Sequence, residues 1–170
     1  MLKTYPIRLA LMSAILLSSS ASAQVAKSGY QLPLGLAVTA ATEAIRACEA
    51  QVYAVSAAVV DTSGVVKLQA KGDHSTIHTK DSSFRKAYSV VTLGPIFGFD
   101  TSSAFAALVA KSPSGPALSS LPDVLPLAGA VAIKRGDEIV AALGIGGAPG
   151  GDKDEACAQA GVAKIAGFVA

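Results

Sequence analysis

Both histidines of the chain, His74 and His78, lie four residues apart in the polar segment 73–81. An imidazole can act as a general base or as a metal ligand, and the neighbouring carboxylates could orient it. A His-x-x-x-His pair converges on one metal ion when both residues are on the same helix, whereas His74 is predicted to precede the next helix. With two histidines and no free cysteine, a closed zinc site would lack ligands.

A ligand that brings its own donor atoms demands less of this segment. A porphyrin supplies four of the iron ligands itself, so one axial side chain from the chain would complete the site. The alternative interpretation is a polar surface loop whose second half caps a helix. The residues of the segment leave both interpretations open.

Two other motifs have spacings that suggest chemistry but lack the partners it needs. Ser83 and Lys86 have the Ser-x-x-Lys spacing of penicillin-recognising enzymes, but the chain contains no Ser-Asp-Asn or Lys-Thr-Gly motif. The glycine-rich segment 144–151 has Pro149 where a dinucleotide fingerprint needs glycine, and Asp152 where a P-loop needs lysine. We therefore interpret this segment as a strand-to-helix turn and exclude nucleotide binding and serine hydrolysis.

Residues 1–23 have the three parts of a secretory signal peptide: a basic start, an apolar stretch over residues 9–17, and the sequence Ala21-Ser22-Ala23. A buried N-terminal helix is the alternative. The apolar stretch is about nine residues long, whereas a membrane-spanning helix takes about 20. We expect cleavage after Ala23 and a mature domain, residues 24–170, that is periplasmic or secreted and does not insert into a membrane.

The composition is that of a folded domain, with 51% hydrophobic and 15% charged residues. The chain has 14 Lys and Arg against 12 Asp and Glu, and cleavage would remove Lys3 and Arg8, which leaves 12 against 12. Nucleic acids and anionic membrane surfaces are recognised by clustered basic excess. The sequence shows no such excess, so we expect neither partner.

Hydrophobic periodicity predicts four helices and two hairpins after the signal peptide. The first helix covers residues 34–51, and a later helix over 80–93 should end at Gly94-Pro95. In the last helix, Asp152 and Glu155 have the spacing of a capping box. The predicted elements are helix 34–51, strands 54–61 and 65–70, helices 80–93 and 102–110, a loop over 112–126, strands 127–133 and 138–145, and helix 152–169. This order indicates an α+β domain with an antiparallel sheet.

Cys48 and Cys157 fall on the buried faces of the first and last predicted helices. Export to an oxidising compartment favours a structural disulfide between them, provided that the two helices lie side by side. A free reactive or metal-binding thiol is the alternative.

Motifs along nearly the whole mature chain resemble the GlcG/HbpS family, also called the haem-degrading domain and related to the C-terminal domain of PduO-type proteins. The motifs are Val59-Val60-Asp61-Thr-Ser-Gly64, Lys71-Gly-Asp73, His78-Thr-Lys-Asp-Ser-Ser-Phe-Arg-Lys-Ala-Tyr88, Asp100-Thr-Ser102, Leu127-Ala-Gly129, Val131-Ala-Ile133, and Gly144-Ile-Gly-Gly-Ala-Pro149 followed by Asp154, Cys157 and Gly161. The chain departs from the family pattern at His74, where members commonly have Gly, and at Gly146, where they commonly have Ser.

The resemblance implies a five-stranded antiparallel sheet flanked by helices, a profilin-like α/β sandwich, which often forms homo-oligomers. It also implies haem binding, with haem storage, sensing or slow degradation as the role, since several members bind haem and some degrade it or take up iron. The alternative is a non-catalytic accessory or interaction module without a cofactor. An enzyme acting on small hydroxy acids is suggested by the GlcG name alone, and no general acid/base pair in the sequence supports it.

For haem, the expected iron ligand is His78, followed by His74, Tyr88 and Thr101. Propionates need cationic partners, which the sequence offers near this segment. The candidates are Lys71, Lys80, Arg85 and Lys86, with Phe84, Phe97 and Phe99 as apolar cover. We assign no catalytic residue.

Overall fold

The computed structural model describes residues 28–169, and the predicted signal peptide lies outside them. Within the described residues, no helix is long and apolar enough to cross a membrane. The elements in chain order are α1 (Leu34–Glu49), β1 (Ser56–Asp61), β2 (Val66–Lys71), α2 (Thr79–Phe97), α3 (Ser102–Lys111), α4 (Gly115–Ser119), β3 (Ala130–Arg135), β4 (Glu138–Gly146) and α5 (Gly151–Ile165), followed by a single 3-10 turn (Ala166–Phe168).

The sheet has the order β2-β1-β4-β3, and each neighbouring pair is antiparallel. Its two faces carry separate apolar cores, because successive side chains of a strand point to opposite faces. Val59 belongs to the core that α1 and α5 cover. Its neighbour Val60 belongs to the core beneath α2 and α3. The predicted α+β class is confirmed, with helices on both faces of the sheet.

The described sheet has four strands rather than the five that the family resemblance implied. The segment before α3 lies against the outer edge of β3, where Ala132 N–H donates to Asp100 O over 2.8 Å and Thr101 forms a single bridge with Val131. The side chain of Thr101 then accepts from Ala104 N–H and caps α3. The chain turns into a helix at this cap, so the pairing stops after one residue.

Helix α2 and the segment after α3 differ from their predictions. Helix α2 continues through Pro95 to Phe97 and ends at Gly98, a left-handed residue whose N–H donates to Gly94 O. Gly94 has no Cβ, which removes part of the clash that normally keeps the residue before proline out of a helix. The predicted loop over 112–126 contains the short helix α4.

The predicted capping box of α5 is wrong. The helix begins at Gly151, and no side chain caps it. The Glu155 carboxylate instead accepts from Ser103 N–H in α3 at 3.0 Å and from Gly129 N–H, just before β3, at 3.3 Å. These bonds to other segments compete with the local return to the helix N-terminus.

Helices α1 and α5 pack closely because small residues line their contact. A Cβ on Gly161 would overlap Ala40 O, and it would lie 2.9 Å from Ala44 Cβ. This approach brings Cys48 and Cys157 to a Cα–Cα distance of 5.5 Å, and the two form a buried disulfide. The predicted pairing is therefore confirmed.

Replacing both cysteines, Cys48→Ala with Cys157→Ala, should lower the free energy of unfolding by about 2–5 kcal/mol, since the bridge closes a long loop in the unfolded chain. Urea denaturation measures this loss. Reduction of the native protein with dithiothreitol is the matched control and should shift its midpoint to a similar extent. An unchanged midpoint in the double variant would contradict a stabilising role.

Candidate functional site

A cleft of about 290 Å³ opens between the first turns of α2 and the loop that joins β4 to α5. Three residues line it at intervals of four, which places them along one face of the helix: His78 at the N-cap of α2, and Ser82 and Lys86 within α2. The remaining lining residues are Leu127, Gly147, Ala148, Gly150, Gly151 and Asp154.

The cleft exists because α2 lies directly on β4. A Cβ on Gly144 would overlap the carbonyl oxygen of Ser83, and one on Gly146 would overlap the hydroxyl of Ser82. The absence of side chains at these two positions lets the helix backbone approach the strand, and this brings the start of α2 beside the loop that follows β4. The glycine-rich segment is thus a packing surface as well as a turn.

His78 lies at the edge of the cleft, exposed, at the N-cap position of α2. Its Nδ1 forms a hydrogen bond of 3.1 Å with the hydroxyl of Thr76. If Nδ1 carries the proton and donates to Thr76, the Nε2 lone pair faces outward, as a metal ligand requires.

Three buried hydroxyl groups hold the segment that carries His78. Ser56 Oγ is 3.1 Å from Ser75 Oγ and 2.8 Å from Thr79 Oγ1. Thr79 Oγ1 also donates to Thr76 O over 2.6 Å. Ser56 lies at the start of β1, so the network fixes residues 75–79 to the sheet.

His74 does not join His78 in the cleft. It is exposed and takes a left-handed backbone conformation with φ of 63°, in a turn outside the cleft lining. No cluster of three or more His, Cys, Asp or Glu suited to a metal ion occurs in residues 28–169. Among the described residues that line the cleft, His78 therefore supplies the one imidazole.

Lys86 has an internal partner, so its ammonium is not available to a ligand. Its Nζ donates to Asp154 Oδ2 over 2.7 Å and to Ile145 O over 3.0 Å. Asp154 Oδ1 accepts from Ala148 N–H over 2.9 Å. Burial raises the pKa of the Asp154 carboxyl above its ordinary value, while the Lys86 ammonium pulls that pKa down.

The other proposed cations differ in their surroundings. Arg85 donates to Val124 O over 2.8 Å and so anchors the segment after α4. Lys80 is exposed on the first turn of α2, where its ammonium lies 3.5 Å from Asp81. Lys71 is exposed at the end of β2. None of the three lines the cleft.

The remaining ligand candidates, Tyr88 and Thr101, also lie outside the cleft lining. The Tyr88 ring packs against Phe84, with centroids 5.7 Å apart, and against Gly64 in the turn between β1 and β2. Thr101 is the N-cap of α3. The Tyr88 ring therefore has a packing role, and the Thr101 side chain has a capping role.

The expected aromatic cover is not at the cleft either. Phe99 stacks on Phe105 in the core, and Phe97 is at the far end of α2. The apolar surface near His78 is aliphatic: Leu127 lines the cleft, and the adjacent Ile77 is 91% exposed. The sequence shows an isoleucine beside a histidine, but the exposure of that isoleucine cannot be read from a short loop.

Lys153 is a cation near the cleft that sequence reasoning missed. It lies on the first turn of α5, with its ammonium 5.3 Å from the centre of the Tyr53 ring. A Cβ on the cleft residue Gly150 would be 3.8 Å from Lys153 Cδ. Lys153 and Lys80 thus start from the two helices that border the cleft.

The left-handed conformation of His74 costs free energy that glycine would not incur. We expect His74→Gly to raise the free energy of unfolding by up to about 1 kcal/mol. Asp73→Gly is the matched control, since Asp73 is exposed and has no positive φ, and it should leave stability unchanged or lower it. Thermal denaturation distinguishes these outcomes; a destabilised His74→Gly protein would mean that the imidazole makes contacts that outweigh the strain.

Comparison with solved structures supports this fold. The chain is 34% identical to HbpS in its crystal structure, with a TM-score of 0.72, and the match covers 79% of this chain and 89% of HbpS. It is 31% identical to a double glutamate-to-aspartate mutant of Streptomyces reticuli HbpS, with a TM-score of 0.72 and coverage of 94% and 97%.

The fold is also similar to that of PduOC in its crystallised haem complex, at 17% identity and a TM-score of 0.70, covering 80% of this chain and 96% of PduOC. No curated protein matches the chain. The family model described as "Haem degrading protein HbpS-like" matches residues 32–163. The resemblance inferred from the motifs is therefore confirmed, and the chain belongs to the HbpS-like family of haem-degrading proteins.

Proposed function

We propose that this protein binds haem at the cleft, with His78 Nε2 as an axial ligand of the iron. The main support for this proposal is the exposed imidazole at the cleft edge, which Thr76 holds through Nδ1. Membership of the HbpS-like family and the haem complex of the structurally similar PduOC support it.

The residues at the cleft fit such a group. Histidine is a common axial ligand of haem iron, and bound haem would supply redox chemistry that no side chain here provides. Leu127 and Ile77 offer apolar surface to the ring. The cleft volume of about 290 Å³ is at the lower end for ligand sites, so the ring would extend beyond the cleft over this apolar rim.

Lys80 and Lys153 are the cations that we propose for the propionates. They lie on the first turns of α2 and α5, and Lys80 is 64% exposed. A charge-assisted hydrogen bond to a propionate would fix the orientation of the ring. We leave Arg85 and Lys86 out of this role because both donate to internal acceptors.

We further propose that the protein is exported after cleavage behind Ala23 and stores, senses or slowly degrades haem in the periplasm or outside the cell. A homo-oligomer would cover the part of the ring that extends beyond the cleft. The small size of the cleft favours one second candidate, an accessory module that binds partners without a cofactor.

Titration of the mature protein with haem should give a saturable shift of the Soret band. His78→Ala should weaken haem binding about 100-fold, since even outer partners of a metal ligand contribute about 10–100-fold. His74→Ala is the matched control, because it removes the other imidazole from outside the cleft, and it should bind like the native protein.

Each alternative gives a distinct result in this titration. Native affinity in His78→Ala would remove His78 from the site, and loss of binding in His74→Ala alone would transfer the ligand role to His74. No saturable shift in the native protein would overturn haem binding and favour the accessory module.

A further inference from the structure

We infer that Lys86 and Asp154 form a positioning pair, which fixes the loop 147–151 against α2 and so sets the width of the cleft. The pair itself rests on contacts within this chain. Its consequence for haem affinity rests on the proposed function.

The pair connects three parts of the fold through two side chains. Lys86 reaches from the third turn of α2 to the Asp154 carboxylate on α5 and to Ile145 O near the end of β4. The same carboxylate accepts from Ala148 N–H, in the loop that forms the opposite wall of the cleft. Oδ2 of Asp154 thus contacts α2, and Oδ1 contacts the 147–151 loop.

The surroundings leave the pair little freedom to move. The side chains of Lys86 and Asp154 are 2% and 3% exposed. A Cβ on Gly129 would be 2.6 Å from Lys86 Nζ and 2.8 Å from Asp154 Cβ, so the backbone before β3 presses directly on both. Any displacement of the carboxylate would therefore move the Ala148 amide with it.

Lys86 is the charged group that faces Asp154. The adjacent Glu155 directs its carboxylate to the amides of Ser103 and Gly129, and β4 contributes only backbone groups near Ile145. His78, at the N-cap of α2, is the third titratable group of the cleft lining.

Several charged side chains on the other elements packed against α5 have other partners or lie away from the pair. On β3, Lys134 pairs with Asp100 at 2.9 Å. On α1, Glu43 pairs with Arg46. On α3, Lys111 lies in the last turn, at the opposite end from the Ser103 amide that meets α5.

These electrostatics give the pair a pH dependence. Because burial raises the pKa of Asp154, the folded chain holds this proton more tightly than the unfolded chain does. The contribution of Asp154 to the free energy of unfolding is therefore fully present below the pKa of its carboxyl in the unfolded chain. This contribution is lost as pH rises through the pKa in the folded chain. Acid should protonate Asp154, which removes its charge attraction to Lys86 and loosens the 147–151 loop. Protonation of this group should not by itself lower the free energy of unfolding.

The test compares the double variant Lys86→Met, Asp154→Asn with the native protein. Asparagine keeps an acceptor for Ala148 N–H, so any loosening reports the missing tie to α2. The matched control is Lys134→Met with Asp100→Asn, which removes an ion pair of the same residue types at the exposed edge of β3. Amide exchange by NMR gives protection factors for Ala148 and for the central strand residue Val59.

At pH 7 we expect the Ala148 protection factor to fall about 10-fold in the Lys86/Asp154 double variant, with Val59 unchanged, and haem affinity to fall about 10-fold. The control variant should retain both. In the native protein, Ala148 protection should fall in acid before Val59 protection does.

Native protection at Ala148 in the double variant would overturn the positioning role. So would a double variant that does not fold, because the pair would then support the whole fold rather than the loop. If the native protein bound no haem but Ala148 protection fell as expected, the positioning pair would stand and the proposed function would fail.

Discussion

The close contact between α2 and β4 is the constraint on which the rest of this structure depends. Gly144 and Gly146 have no side chains to separate the helix backbone from the strand. As a result, the start of α2 and the end of β4 lie side by side, with the cleft between the helix and the loop that follows. A longer separation would leave His78 and the loop as two unrelated surface features.

The same contact explains why a lysine can be buried in this fold. With α2 seated on β4, Lys86 reaches both Ile145 O and Asp154, and its charge is compensated inside the protein. Removing one partner of a buried ion pair typically costs about 3–5 kcal/mol, because the other charge is left without compensation. Replacing both partners of such a pair with uncharged residues is often neutral. The pair therefore constrains the geometry of the cleft more than it adds to the free energy of unfolding.

The fold was largely predictable because its elements have clear periodicity. The four strands and the pairing of Cys48 with Cys157 could be predicted from apolar patterns and from the predicted signal peptide. The prediction of a fifth strand was wrong because the Thr101 cap starts α3. The predicted end of α2 at Gly94-Pro95 was wrong because Gly94 relieves the clash that usually precedes proline.

The candidate site was only partly predictable, since most of it depends on contacts between distant segments. His78 could be proposed from its residue type and from the family motif. The position of His74 outside the cleft, the burial of Lys86 and the approach of Lys153 could not, because each depends on how α2 and α5 meet. The sequence of the glycine-rich segment indicates a turn, and its role as a packing surface appears only when α2 is in place.

The proposed haem site is the cleft between α2 and the 147–151 loop, with His78 at its edge. Gallium protoporphyrin is a diamagnetic analogue of haem that permits chemical-shift mapping by NMR across the protein. We expect the largest amide shifts in residues 76–82, 127–128 and 147–154. Large shifts centred on Tyr88 or Thr101, with these segments unchanged, would contradict it.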